Sequence, residues 1–218
     1  MINLRATGVV ESWDGETLRL ATFRGGYASH DEPAIVYVET GKMQHVATGG
    51  EVVVCLGSFY QRRPTDDRLE IVMVADTVVV VDDIETSDVG AMYVDCHAKI
   101  AEIHLDTAIS GPRAGDKVCR LLLHVRSLHM DPGEPVVLRA KAWGPQASAL
   151  VKAHEIGDLI LVEGTLNEAR WEKDGVARTA HEILVRRWGF AKERWTCNRC
   201  GSHLKPWIEL CRECWGSR

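Results

Sequence analysis

Gly157-Asp158-Leu159-Ile160-Leu161-Val162-Glu163-Gly164 has a counterpart earlier in the chain, Gly50-Glu51-Val52-Val53-Val54-Cys55-Leu56-Gly57. Each copy is a glycine, an acid, an apolar run and a second glycine. Each continues into a polar strand and turn (Ser58 to Arg68; Thr165 to Arg178). Each then closes with an apolar strand (Leu69 to Val81; Thr179 to Trp188). Apolar, β-branched runs bounded by Gly, Pro and Asp read as strands. One β-unit written twice predicts two small β domains, with a single barrel and chance similarity as the alternative. The acidic stretch Asp82-Asp83-Ile84-Glu85-Thr86-Ser87-Asp88 marks the boundary, giving domains 1–85 and 90–189.

Outward from the repeat, Val118 to Val125 and Val136 to Ala142 are further apolar strands, and Ile183 to Val185 is the apolar centre of the closing strand. Helical periodicity is scarce. The one helix candidate runs from Gln146 to His154, opened by Gly144-Pro145 and stopped by Gly157. The fold class is therefore all-β, with barrels or sandwiches.

The chain ends differently. Cys197-Asn198-Arg199-Cys200 and Cys211-Arg212-Glu213-Cys214 are two Cys-x-x-Cys knuckles. Each knuckle offers two sulfurs from one tight turn, and two turns close a tetrahedron around Zn²⁺. This predicts a zinc ribbon over 190–218 holding one structural Zn²⁺. Redox dithiols are the alternative, but no thioredoxin-like βα pattern surrounds either motif. The other three cysteines, Cys55, Cys96 and Cys119, sit in apolar surroundings and read as buried thiols. An odd remainder of thiols and an N-terminus unlike a signal peptide point to a reducing compartment, the cytoplasm. No apolar run is long enough to span a bilayer.

The 218 residues carry a net charge of −5, unevenly spread. Residues 1–89 hold 7 Lys and Arg against 15 Asp and Glu, and residues 186–218 hold 8 against 3. An acidic front would repel a polyanion, while a basic tail would attract one. Arg139, Lys141 and Trp143 alternate, so all three project from one face of a strand. Arg170, Trp171 and Lys173 cluster on a hairpin, with Arg178 on the returning strand. Arg186, Arg187 and Arg194 lie among tryptophans beyond it. Aromatic faces for bases beside cations for phosphates are what single-strand binding requires. Trp143 as a barrel plug and Arg139 and Lys141 as solvated charges are the plainer readings.

Val136-Val137-Leu138-Arg139-Ala140-Lys141-Ala142-Trp143-Gly144, the short Ala-rich helix, the Gly157–Gly164 strand and Arg170-Trp171-Glu172-Lys173 together resemble bacterial single-stranded-DNA-binding proteins. The likeness is good over about 95–188 and looser over 2–82. It implies OB barrels, hence two tandem OB-folds followed by the ribbon, a layout similar to replication-protein-A-like proteins. By position it implies that Trp143 and Trp171 stack bases. Two departures stand out. Val137 occupies a place that is usually aromatic in that family, and the chain ends in Cys214-Trp215-Gly216-Ser217-Arg218 instead of an acidic, Phe-terminated tip. The family's partner docking and tetramer therefore do not transfer directly.

No Walker, Gly-x-Ser-x-Gly or His-Glu-x-x-His pattern is present, so the expectation is a non-enzyme. The expected role is coating or holding single-stranded DNA in replication, recombination or defence by a mobile element, alongside replication, recombination or nuclease proteins, with a homo-oligomer open. The rivals are a scaffold subunit of a larger complex, RNA in place of DNA, and an acyl-CoA-handling subunit. For the acidic first domain, protein contact or dimerisation fits better than strand binding, though Tyr37, Phe59, Tyr60, Arg62 and Arg63 offer a strand-binding patch there.

Overall fold

The computed structural model describes residues 2–22, 34–41, 43, 46–65, 68–81, 92–125, 135–173 and 175–190. The four knuckle cysteines, Arg194 and the 82–88 boundary stretch lie outside them.

Ten strands and one helix follow in order. They are β1 (Ile2–Trp13), β2 (Thr17–Thr22), β3 (Ala34–Glu39), β4 (Val52–Thr65), β5 (Arg68–Val80), β6 (Met92–Thr107), β7 (Lys117–Val125), β8 (Val136–Trp143), α1 (Pro145–Ala153), β9 (Leu159–Lys173) and β10 (Val176–Phe190). The all-β expectation holds, and the strands close on themselves in a way consistent with an OB-fold. β1 pairs with β2, β2 with β3, β3 in parallel with β5, β5 with β4 and β4 back to β1. The same order recurs as β6–β7–β8–β10–β9–β6, again with one parallel pair, β8–β10. Closure leaves neither ring a free edge.

The repeated glycines have separate reasons. Gly50 and Gly157 sit at φ 91° and 100°, a left-handed turn conformation that favours glycine. Gly57 and Gly164 sit where a neighbouring strand's backbone leaves no room for a side chain. A Cβ on Gly57 would lie 2.0 Å from the Val74 carbonyl oxygen, and one on Gly164 2.3 Å from that of Leu184. Each ladder slips register beside its glycine or its partner, between Leu56 and Gly57 and between Val185 and Arg187. The strand therefore coils sharply there, as a closed ring requires.

Alternation fills the interiors. β8 buries Val136, Leu138, Ala140 and Ala142, and β3 buries Ala34, Val36 and Val38. Phe59, Ile71 and Met73 plug the first ring; Leu123, Leu138 and Ile160 plug the second. Each such side chain contributes roughly 1.5–3 kcal/mol on burial. The helix α1 starts with Pro145 after Gly144 at φ 62°, and seals the second ring with Ala147 and Leu150. Cys55, Cys96 and Cys119 are unpaired and buried. Burial pushes their thiols up to about 12, about 12 and about 11, which keeps them protonated and inert. Among the described residues no helix is long and apolar enough to cross a membrane.

The first strands of the rings join them. β1 and β6 pair antiparallel, Leu4 against Val94, Ile2 against Cys96 and Ala6 against Met92. Leu4 and Val94 are also each other's structural counterparts, since they face Gly57 and Gly164. A pseudo-two-fold axis therefore passes between them, the internal equivalent of an isologous dimer contact.

Candidate functional site

The outer face of β7–β8 gathers the predicted cations. On β8, Arg139 is exposed and Lys141 and Trp143 are half-buried, alternating with the buried Leu138, Ala140 and Ala142. Across the ladder Arg120 stands opposite Lys141, Leu122 opposite Arg139 and Val118 opposite Trp143. Arg120 also pairs with Asp106 of β6. Lys141 Nζ donates to Glu182 Oε2 at 2.7 Å, a partly buried ion pair to β10. That carboxylate aims the ammonium along the face without burying it.

Two residues that the sequence did not single out complete the group. One is Arg120, whose signal was its place on an alternating strand beside Lys141. The other is Arg113, on the tight 108–116 turn between β6 and β7. Its guanidinium carbon lies 5.1 Å from the Trp143 ring centre, a cation–π distance. Only the folded ladder brings that turn to the end of β8, through the Gly144 N–H to Lys117 O bond of 2.8 Å.

The hairpin residues are placed by backbone register. Trp171 faces Arg178, Arg170 faces Thr179 and Lys173 faces Val176. Their side chains lie outside the described residues. Arg186 and Arg187 are turned elsewhere. Arg186 stacks on Tyr93 at 5.2 Å, and Arg187 stands 3.8 Å from Glu163. Arg186 lines an open cleft of about 590 Å³ on the pseudo-two-fold, with Arg5, Asp76, Tyr93 and Asp95. Counterparts there carry opposite charge, Arg5 against Asp95 and Asp76 against Arg186, so the cleft is mixed in sign.

The first ring is different on the same face. Register against β5 and β10 makes Tyr37 the counterpart of Arg139 and Glu39 that of Lys141. Trp143 therefore has no aromatic counterpart in the first ring; its place, two residues beyond Glu39, is Gly41. The aromatics are tied up. Tyr60 donates to Glu39 at 2.6 Å, and burial together with that carboxylate pushes its hydroxyl up to about 12. Arg62 lies 4.8 Å over Tyr37 and is held by the buried Glu70 at 2.9 Å. The cation that covers Tyr37, Arg62, is answered by an acid.

Residues 100–191 match the model of the Single-strand binding protein family. This bears out the resemblance read from the sequence. The chain is similar to the wild-type single-stranded DNA binding protein from Thermus aquaticus, with a TM-score of 0.58 and 18% identity, over 88% of this chain and 93% of that one. A deletion mutant of the same Thermus protein gives a TM-score of 0.59 at 16% identity, covering 89% and 96%. At these identities the likeness establishes the fold. No curated protein matches the chain significantly.

Proposed function

We propose that this chain is a non-enzymatic single-stranded-DNA-binding protein of tandem OB barrels (1–85 and 90–189) and a C-terminal zinc ribbon (190–218). The strand lies on the second barrel. The carrying observation is the outward alternation of Arg139, Lys141 and Trp143 on a barrel whose sequence matches the Single-strand binding protein family. Trp143 and Trp171 stack bases, at about 1–3 kcal/mol each. Arg139, Lys141, Arg120 and the hairpin cations Arg170, Lys173 and Arg178 hold phosphates, with Arg186, Arg187 and Arg194 further along. Stacking reads no base edge, so sequence preference is weak. The setting is the cytoplasm, in replication, recombination or defence by a mobile element.

Titration with oligo-dT of about 30 nucleotides, followed by tryptophan fluorescence at several salt concentrations, tests this. Quenching with affinity that falls as salt rises is expected, the logarithmic slope counting roughly 0.7 per phosphate held. Trp143→Ala with Trp171→Ala should weaken binding at least ~30-fold with the fold intact; unchanged affinity would sink the reading. An oligo-U competition settles RNA against DNA.

The acidic first barrel favours a second role for that half, as a contact for another protein or for another copy of this chain. Its carboxylates Glu39 and Glu70, one bonded by Tyr60 and the other by Arg62, support that role over strand contact. Cys197, Cys200, Cys211 and Cys214 are the zinc ligands in this reading, on the strength of their spacing. One zinc per chain by elemental analysis, lost in a Cys197→Ser and Cys200→Ser double variant, is the expected result.

A further inference from the structure

We propose that Arg113 is a gate on the stacking face of Trp143. In the free protein its guanidinium covers the ring. On binding, a base takes that face and Arg113 moves to the phosphate of the same nucleotide. The inference rests on the proposed strand-binding role of the second barrel.

The geometry makes the two states exclusive. Arg113 is exposed and Trp143 half-buried, and the guanidinium lies over the ring, 5.1 Å from its centre, where an incoming base would stack. A base stacking on Trp143 from solvent must displace it. Stacking of a base outweighs a cation–π contact at an exposed site, so displacement is favourable.

The turn that carries Arg113 is braced, so the motion belongs to the side chain. Gly115 N–H donates to Ala108 O at 2.8 Å, Ala108 N–H to Asp116 O at 2.9 Å, and Asp116 N–H to Arg113 O at 3.0 Å. The displaced guanidinium stays tethered beside the stacked nucleotide, where the nearest anion is that nucleotide's phosphate. Arginine suits this because one planar fork serves both a ring and a phosphate.

The first barrel shows what a locked version looks like. Arg62 also covers an aromatic ring, that of Tyr37, but the buried Glu70 carboxylate holds it at 2.9 Å. Leaving would break that partly buried ion pair. Among the described residues Arg113 forms no ion pair, so nothing comparable restrains it.

The test compares the full chain with its Arg113→Ala variant in oligo-dT titrations from low salt to about 1 M. Removing Arg113 deletes one phosphate contact and one competitor for the ring. The expected result is a salt slope shallower by about 0.7, weaker binding than wild type at low salt, and roughly two- to fivefold tighter binding near 1 M. The two lines cross. In a Trp143→Ala background the high-salt gain disappears. Arg113→Ala that is weaker at every salt concentration, or indistinguishable from wild type, overturns the gate while leaving strand binding in place. A wild-type chain that binds no strand at all overturns the functional reading beneath it.

Discussion

Where the second barrel presents Arg139, Lys141 and Trp143, the first presents Tyr37, Glu39 and Gly41. Behind those residues the backbones agree, with the same strand order, the same parallel closing pair and the same two glycines. What closes a barrel is written in the inward positions and the turns. What it binds is written in the outward positions, which closure leaves free to vary. The pair therefore works as an internal control. A change to the closing machinery should hurt both halves alike, and a change to the outer face should matter in only one.

The largest expected effect is on closure. Gly57→Ala and Gly164→Ala each drive a Cβ into a neighbouring carbonyl, at 2.0 and 2.3 Å, and each should cost about 3 kcal/mol in urea unfolding. A loss at only one of the two positions would break the claim of a shared closing device.

His181 offers the next test, because its counterpart in the first barrel is Ile71. Burial lowers the His181 pKa to about 4, with Glu168 opposing weakly. Well above pH 6.5 the imidazole is neutral folded or unfolded and adds no pH dependence. As pH falls from about 6.5 to 4, the unfolded chain takes up a proton that the folded chain refuses. Stability is then lost, by roughly 3 kcal/mol at most. His181→Ile should flatten this part of the stability–pH curve; an unchanged curve would show that His181 is not the group responsible.

Exchanging outer residues sharpens the comparison. Lys141→Glu places the first barrel's residue on the second and should weaken oligo-dT binding roughly tenfold at low salt. Glu39→Lys, the reverse exchange, should leave affinity within about twofold, checked in the same titration. A large gain from Glu39→Lys would put the first barrel on the strand's path.

The sequence made much of this legible, for reasons that can be located. Apolar runs reveal β4, β5, β7, β8, β9 and β10 because their valines and leucines are crowded together. They do not reveal β1 and β6, where Asn3 and Arg5, or Asp95, His97 and Lys99, alternate with the buried residues. Those two strands lie at the seam with one face open, so their signal is alternation. Arg139, Lys141 and Trp143 could be read as one face because they are neighbours on one strand. Arg113 could not be joined to Trp143, since only the β7–β8 register brings them together. The counterpart of Tyr37 in the second barrel is equally hidden in the sequence, for a related reason. The parallel pairing with β5 sets its true counterpart, and no local motif records that register.

The central claim is that one barrel carries the strand. Amide hydrogen exchange, with and without oligo-dT of about 30 nucleotides, tests it most directly. The account predicts added protection over 108–125, 136–143 and the 168–179 hairpin, with 34–41 and 56–74 unchanged. Equal protection of the two barrels, or protection confined to the first, would contradict it.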